Sequence, residues 1–111
     1  MADFVTWKGA TGQQYQMQLC RFGAPFKTNP GVYVFCKPAN TQGRWSAVYV
    51  GETDDFNDRL NINLASHHRW DCIQREKATN VCVMQVNGGK TQRVAAETDL
   101  RKSLDPPCNR Q

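Results

Sequence analysis

Two short stretches of the chain, GVYV at residues 31–34 and VYVG at residues 48–51, share a Val-Tyr-Val core with a glycine on its outer side. Because side chains alternate across a strand, each tyrosine points away from its flanking valines. If the two strands are neighbours and bury their valines together, the two phenols emerge side by side. We therefore expect Tyr33 and Tyr49 to belong to a functional site.

Length and hydropathy limit the class of protein. The chain has 111 residues, enough for one domain with a real core. No apolar run approaches membrane-spanning length, and the start, Met1-Ala2-Asp3, lacks the basic and apolar regions of a signal peptide. We therefore expect a cytoplasmic protein with no membrane partner.

The basic residues are unevenly distributed. The formal charge is +4, and nine of the fourteen lysines and arginines follow position 58. Such an imbalance is compatible with a polyanionic partner such as nucleic acid.

The five cysteines form an odd set without a CxxC pair, which predicts reduced, buried thiols. The alternative is a zinc or thiol redox protein, for instance with His67 or His68 beside Cys72. That spacing matches no common zinc pattern.

Hydrophobic periodicity predicts the order β-β-α-α-β-α after an N-terminal hairpin, an α+β fold. The hairpin pairs residues 4–7 with 15–19, and the later strands span 31–37, 46–51 and 80–86. Helices are expected from Thr53 or Asp54 through Leu64, over about 68–78, and over 91–104. Whether the first helix continues to His67 and His68 stays open. We expect residues 1–30 to be a hairpin extension and residues 31–111 the main domain, together one compact unit.

Glu97 occupies an unusual place in the last predicted helix. At about 100° per residue, it lies about 60° from Val94, 60° from Leu100 and 20° from Leu104, within the apolar stripe. A buried carboxylate costs several kcal/mol unless it is paired or bound to a metal. Glu97 therefore either pairs with an arginine or opens into a cleft and holds a divalent cation.

Arg59 lies at the edge of the stripe that Phe56, Leu60 and Leu64 form on the first predicted helix. From there it can reach into a cleft, where a guanidinium matches phosphate oxygens bidentately. Taken alone, a solvated surface arginine is the simpler interpretation.

Taken in order, these features resemble the motif series of the GIY-YIG nuclease superfamily across residues 31–109. The matching elements are Gly31-Val32-Tyr33, Tyr49-Val50-Gly51, Arg59 ten positions later, Glu97 on the C-terminal helix, and Asn109 after a proline pair. Each tripeptide alone is a weak signal, whereas five elements in order are a strong one.

The resemblance implies a small three-stranded antiparallel sheet flanked by helices. It also implies an endonuclease that hydrolyses nucleic-acid phosphodiester bonds with one Mg²⁺ or Mn²⁺ ion, DNA being favoured over RNA. Tyr33 or Tyr49 would help deprotonate water, Arg59 would stabilise phosphate charge, Glu97 would anchor the metal, and Asn109 would hold the closing segment.

The chain departs from the family at position 63, where members often have histidine or tyrosine and this chain has Asn63. Asparagine cannot act as a general base. If the helix continues, His67 lies about 80° from Arg59 and could substitute, whereas His68 falls on the opposite side. Asn63 also favours the alternative function, a non-catalytic module that binds nucleic acid or a protein partner.

The N-terminal residues lie outside the resemblance and bring five aromatic side chains: Phe4, Trp7, Tyr15, Phe22 and Phe26. They either pack as a lid on the core, which we favour, or stack on unpaired bases, which Trp7→Ala would test. We expect selectivity for the nucleic-acid substrate to come from the domain itself, its loops or a homodimer.

Overall fold

The computed structural model describes residues 3–41 and 43–110. Residues 1 and 2 of the expected hairpin extension and residue 111 of the expected main domain lie outside this part. Within the described residues, five antiparallel strands form one sheet in the order β1-β2-β5-β3-β4. Their bounds are β1 Asp3–Lys8, β2 Gln14–Arg21, β3 Gly31–Pro38, β4 Trp45–Thr53 and β5 Asn80–Gln85.

The expected three-stranded sheet is wrong in strand number. β3, β4 and β5 do pair, but β5 also pairs with β2, placing Gln18 opposite Val83 and Arg21 opposite Asn80. The hairpin of β1 and β2 therefore extends the sheet along the edge of β5 that does not pair with β3. The division into residues 1–30 and 31–111 stays a prediction.

The register of β3 and β4 brings the tyrosines to one face. Tyr33 lies opposite Gly51 and Tyr49 opposite Phe35, and the centroids of the two phenol rings are 6.2 Å apart. A bulge after Phe35 shifts the register, so Val48 packs on the same side as Tyr49, not on the valine side. The alternation expected from the sequence therefore fails at Val48 alone among the four valines of the two stretches.

The first predicted helix is shorter than expected. A π turn covers Asp58–Ile62, in which the amide of Asn63 bonds the carbonyl of Asp58, and the chain then turns before His67. Phe56 and Leu60 are buried as the spacing predicts.

Two further helices are close to prediction. Helix α1 spans Trp70–Arg75, and helix α2 spans Lys90–Leu104 and ends at Asp105 before two prolines. A final 3₁₀ turn covers Pro107–Asn109.

Apolar clusters cover both faces of the sheet. On one face, Ala96 and Leu100 of α2 pack against Val32, Val34 and Val50; on the other, Leu60 and Ile73 pack around Tyr33 and Phe35. Val94 is 40% exposed and the buried residues of α2 are Arg93, Ala96 and Leu100. The predicted apolar stripe is therefore rotated, and Glu97 lies partly buried beside it.

The aromatic residues of the hairpin divide between core and surface. Trp7 and Tyr15 are buried in the cluster on the valine face, while Phe22 and Phe26 pack against the tyrosine-side cluster. Phe4 is 57% exposed.

Cys72 and Cys108 form a disulfide between α1 and the 3₁₀ turn, which corrects the expectation that all five cysteines are reduced. Cys36 and Cys82 are buried free thiols and Cys20 is a partly buried one. In the chain-entropy view, closing a loop of this length stabilises the fold by about 3–4 kcal/mol. Within residues 3–41 and 43–110, no helix is long and apolar enough to cross a membrane.

Candidate active site

Tyr33 is fully buried on the face of the sheet that carries both tyrosines, and its ring packs over Gly51. A Cβ on Gly51 would overlap the phenol ring and its hydroxyl, so only glycine leaves room for this ring. Phe35 and Tyr49 surround the ring with centroid distances of 5.5 and 6.2 Å. The sequence Tyr49-Val50-Gly51 therefore supplies the phenol of Tyr49. Its glycine also leaves the space that the ring of Tyr33 occupies.

The hydroxyl of Tyr33 lies 2.8 Å from Nε2 of His67, which is only 4% exposed. The backbone N–H of Arg69 donates to Nδ1 of the same ring at 3.0 Å. Since Nδ1 accepts, the neutral imidazole carries its hydrogen on Nε2 and donates it to the phenol oxygen. Burial, with the nearby cationic groups His68, Arg59 and Arg69, lowers the pKa of His67 to about 4, which keeps the ring neutral at pH 7.

His68 forms the solvent side of the same cluster. Its ring is exposed and stacks on His67 with centroids 4.8 Å apart, and its Nε2 lies 3.5 Å from the hydroxyl of Tyr49. Partial burial, then the charges of Arg69 and Arg59, lower the pKa of His68. The turn after the π turn therefore brings both histidines to the tyrosines, including the one that helical geometry would have turned away.

Arg59 supplies positive charge to this ring cluster. Burial is the main cause of the raised pKa of Tyr33 and of Tyr49, and the charge of Arg59 opposes it at both phenols. In the part of the chain that the structure describes, the Arg59 side chain makes no ion pair or hydrogen bond. The side chain of this partly buried residue is thus available to an anionic group.

Glu97 lies partly buried on α2, the helix that packs against the valine side of the sheet. Burial raises the pKa of its carboxyl, and an ion pair with Arg101 at 3.2 Å opposes that shift. The negative charge of Glu97 in turn raises the pKa of both phenols. Glu97 thus pairs with an arginine, as one of the two interpretations of the sequence predicts. This pairing leaves open the other interpretation, in which Glu97 holds a divalent cation.

A second carboxylate accompanies Glu97. Glu52 follows Gly51 on β4, and its oxygen accepts a 2.8 Å hydrogen bond from Nε of the buried Arg93. Arg93, Glu97 and Arg101 recur at four-residue spacing in the sequence, a helical pattern that favours ion pairs along one face of α2.

Asn109 attaches the 3₁₀ turn to the free edge of β4. Its Oδ1 accepts the Val50 N–H at 2.8 Å and its Nδ2 donates to the Val50 carbonyl at 2.9 Å. Both backbone groups of Val50, which connects Tyr49 to Gly51, are therefore satisfied by one side chain.

Asn63 does not join the cluster; its exposed amide donates to the carboxylate of Asp58 at 2.7 Å. The zinc alternative loses Cys72, because its sulfur is in the disulfide. Among the residues that the structure describes, no three His, Cys, Asp or Glu side chains cluster to hold a metal ion.

The donor set suits a hydrated hard cation instead of zinc. Mg²⁺ prefers oxygen ligands, commonly takes one or two protein carboxylates, and completes its shell with water and phosphate. Glu97 offers such an oxygen in a partly buried setting on α2, where it also pairs with Arg101. A divalent cation therefore fits the residues present.

Comparison with solved structures identifies the fold. The chain is similar to the N-terminal GIY-YIG endonuclease domain of UvrC from Thermotoga maritima, solved as two tyrosine-to-phenylalanine mutants bound to the catalytic divalent cation. The TM-score is 0.60 for both, with 23% and 22% identity, covering 78% of this chain and 89% of that one. No family model and no curated protein matches the sequence. The predicted resemblance is confirmed as a likeness of fold.

Proposed function

We propose that this protein is a divalent-metal-dependent endonuclease that hydrolyses phosphodiester bonds of nucleic acid, with DNA favoured over RNA. The observation that carries the proposal is the contact of Tyr33, Tyr49 and two histidines beside Arg59, in the fold of a nuclease domain that binds a catalytic cation. The basic C-terminal half of the sequence is consistent with a polyanionic substrate.

The two phenols have different parts in this proposal. Tyr49 lies nearer to solvent, with His68 3.5 Å from its hydroxyl, and is the phenol that helps deprotonate the attacking water. Tyr33 is a positioning residue: its oxygen accepts the N–H of His67, and its buried ring packs against Tyr49 with centroids 6.2 Å apart. A phenol whose pKa is raised by burial needs a cation to favour its ionised form, and Arg59 supplies one.

Arg59 and Glu97 handle the charge of the phosphate. The guanidinium of Arg59 stabilises negative charge that develops on phosphate oxygens, a contact worth several kcal/mol in a dry site. Glu97 would hold the cation, which when bound would lower the pKa of water and shield the charge of the phosphate. Asn109 keeps the closing segment against β4 by its two bonds to Val50.

The test is cleavage of end-labelled single-stranded, duplex and branched DNA and single-stranded RNA, with Mg²⁺, Mn²⁺ or a chelator. Glu97→Gln replaces a carboxylate by an amide of equal size, so we expect no turnover and an unchanged fold. Glu76→Gln is the matched control: Glu76 is also ion-paired, 3.6 Å from Lys37, and lies away from the tyrosines. It should cleave like the parent protein.

Arg59→Ala separates chemistry from binding. If its contact with phosphate strengthens in the transition state, the rate of cleavage of bound substrate should fall more than the affinity. Arg75→Ala, an exposed arginine of α1, serves as the charge-matched control.

The second candidate function is a non-catalytic binding module, which the placement of Asn63 favours because that position contributes nothing to the cluster. Binding without cleavage across all substrates and metals would establish it and overturn the nuclease. The cytoplasmic location also stays a prediction. Disulfides are rare in that compartment, so the oxidation state of Cys72 and Cys108 in cells is its test.

A further inference from the structure

The hairpin continues the tyrosine-bearing face of the sheet beyond the candidate site. Phe4 lies opposite Gln18, Gln18 opposite Val83, and Val83 opposite Tyr33. One cross-strand row thus connects β1 to the site across three strand spacings, roughly 14 Å. A ligand extended along this row from Phe4 would reach Val83, which lines a groove and lies opposite the buried Tyr33.

The outer part of this face is exposed and carries no carboxylate. We call it the hairpin face; it consists of Phe4, Thr6 and Lys8 of β1 and Gln14, Gln16 and Gln18 of β2, all exposed. The opposite side of the same strands buries Trp7, Tyr15 and Met17. The core of the hairpin is therefore complete without Phe4, which is 57% exposed.

A groove of about 500 Å³ lies between the hairpin face and the chain segment at residues 24–29. Gln18 and Gln85 line it from the sheet, and Phe26 and Lys27 line it from the segment. The groove adds a second lysine and no acidic group to the surface.

We propose that the hairpin face docks single-stranded nucleic acid, an inference that rests on the proposed nuclease function. An exposed ring stacks on a base only if that base is unpaired, and such stacking is worth about 1–3 kcal/mol. Glutamine amides both donate and accept hydrogen bonds, as base edges require. Lys8 and Lys27 match the charge of the phosphates.

A protein partner fits this surface less well. The centres of protein interfaces are depleted of charged residues and rich in aromatic and apolar ones. The hairpin face has one aromatic residue among glutamines, a threonine and a lysine.

Fluorescence anisotropy with labelled single-stranded DNA and RNA, in a chelator to prevent cleavage, tests the proposal. We expect Phe4→Ala to weaken binding at least fivefold and Phe4→Trp to retain it, since 1 kcal/mol or more of stacking corresponds to that factor. Lys8→Ala should reduce the slope of log affinity against log salt by about 0.7. Val94→Ala, an exposed apolar residue of α2, should bind like the parent.

The outcomes separate the two proposals. Parent-like binding by Phe4→Ala, with single strands still bound, would overturn the docking face and leave the nuclease untouched. Failure of the parent to bind any single strand while it cleaves duplex DNA in a Glu97-dependent way would do the same. Neither binding nor cleavage would reject both. A parent dimer that Phe4→Ala converts to monomer, seen by light scattering, would reassign the face to contact between copies.

Discussion

Replacing Gly51 by alanine tests whether the candidate site depends on the close approach of Tyr33 to β4. An alanine Cβ would overlap the ring and hydroxyl of Tyr33. The ring cannot move freely, because Phe35, His67 and Tyr49 lie around it with centroid distances of 5.5 to 6.2 Å.

The magnitude follows from these contacts. Overpacking a dense core costs about 1–3 kcal/mol. Displacing the phenol also breaks its 2.8 Å hydrogen bond to His67, a further loss of about 1 kcal/mol. A combined loss of about 2–4 kcal/mol lowers the melting temperature of a domain of this size by roughly 8–16 °C.

Thermal unfolding followed by circular dichroism measures this shift. Gly88→Ala is the matched control, because the three atoms nearest to its Cβ all belong to the flexible side chain of Gln92, and it should lower the melting temperature by a few degrees at most. In a Tyr33→Ala background the added cost of Gly51→Ala should vanish, as a double-mutant cycle would reveal. A Gly51→Ala protein that melts within about 3 °C of the parent would refute the steric argument.

Two further predictions concern the residues that hold the site. His67, with a native pKa of about 4 against an ordinary 6.5, binds fewer protons in the native than in the unfolded state, so its contribution is complete above pH 6.5 and is lost as pH falls toward 4. Urea titrations should show about 2 kcal/mol more loss between pH 7 and pH 5 in the parent than in His67→Gln, and equal losses would contradict the buried neutral imidazole. Asn109→Ala removes two bonds to Val50 and should destabilise the protein by about 1–3 kcal/mol, with faster amide exchange at Val50. Unchanged exchange there would show that Asn109 does not hold the edge of β4.

Strand content could be predicted from the sequence, but the partner of the hairpin could not. The alternation around Tyr33, Tyr49 and Val83 is local, and the observed strands begin and end within two residues of the expected bounds. Pairing of β2 with β5 depends on which edge of the sheet stays open, and no periodicity in either strand carries that information. The bulge that turns Val48 to the tyrosine side is likewise set by the register of the pair.

The path of the chain from Asn63 to Arg69 explains why the site was only partly predictable. Extending the helix to His67 assumed a constant 100° per residue, whereas the chain leaves the helix at the bond from Asn63 to Asp58. Beyond it, the amide of His67 bonds the carbonyl of Leu64, and the amide of Arg69 fixes the imidazole. Both histidines therefore reach the tyrosines because the helix ends early. The same turn places the start of α1 so that Cys72 can meet Cys108. The disulfide and the positions of the two histidines therefore both depend on this turn, which cannot be predicted from residue spacing alone.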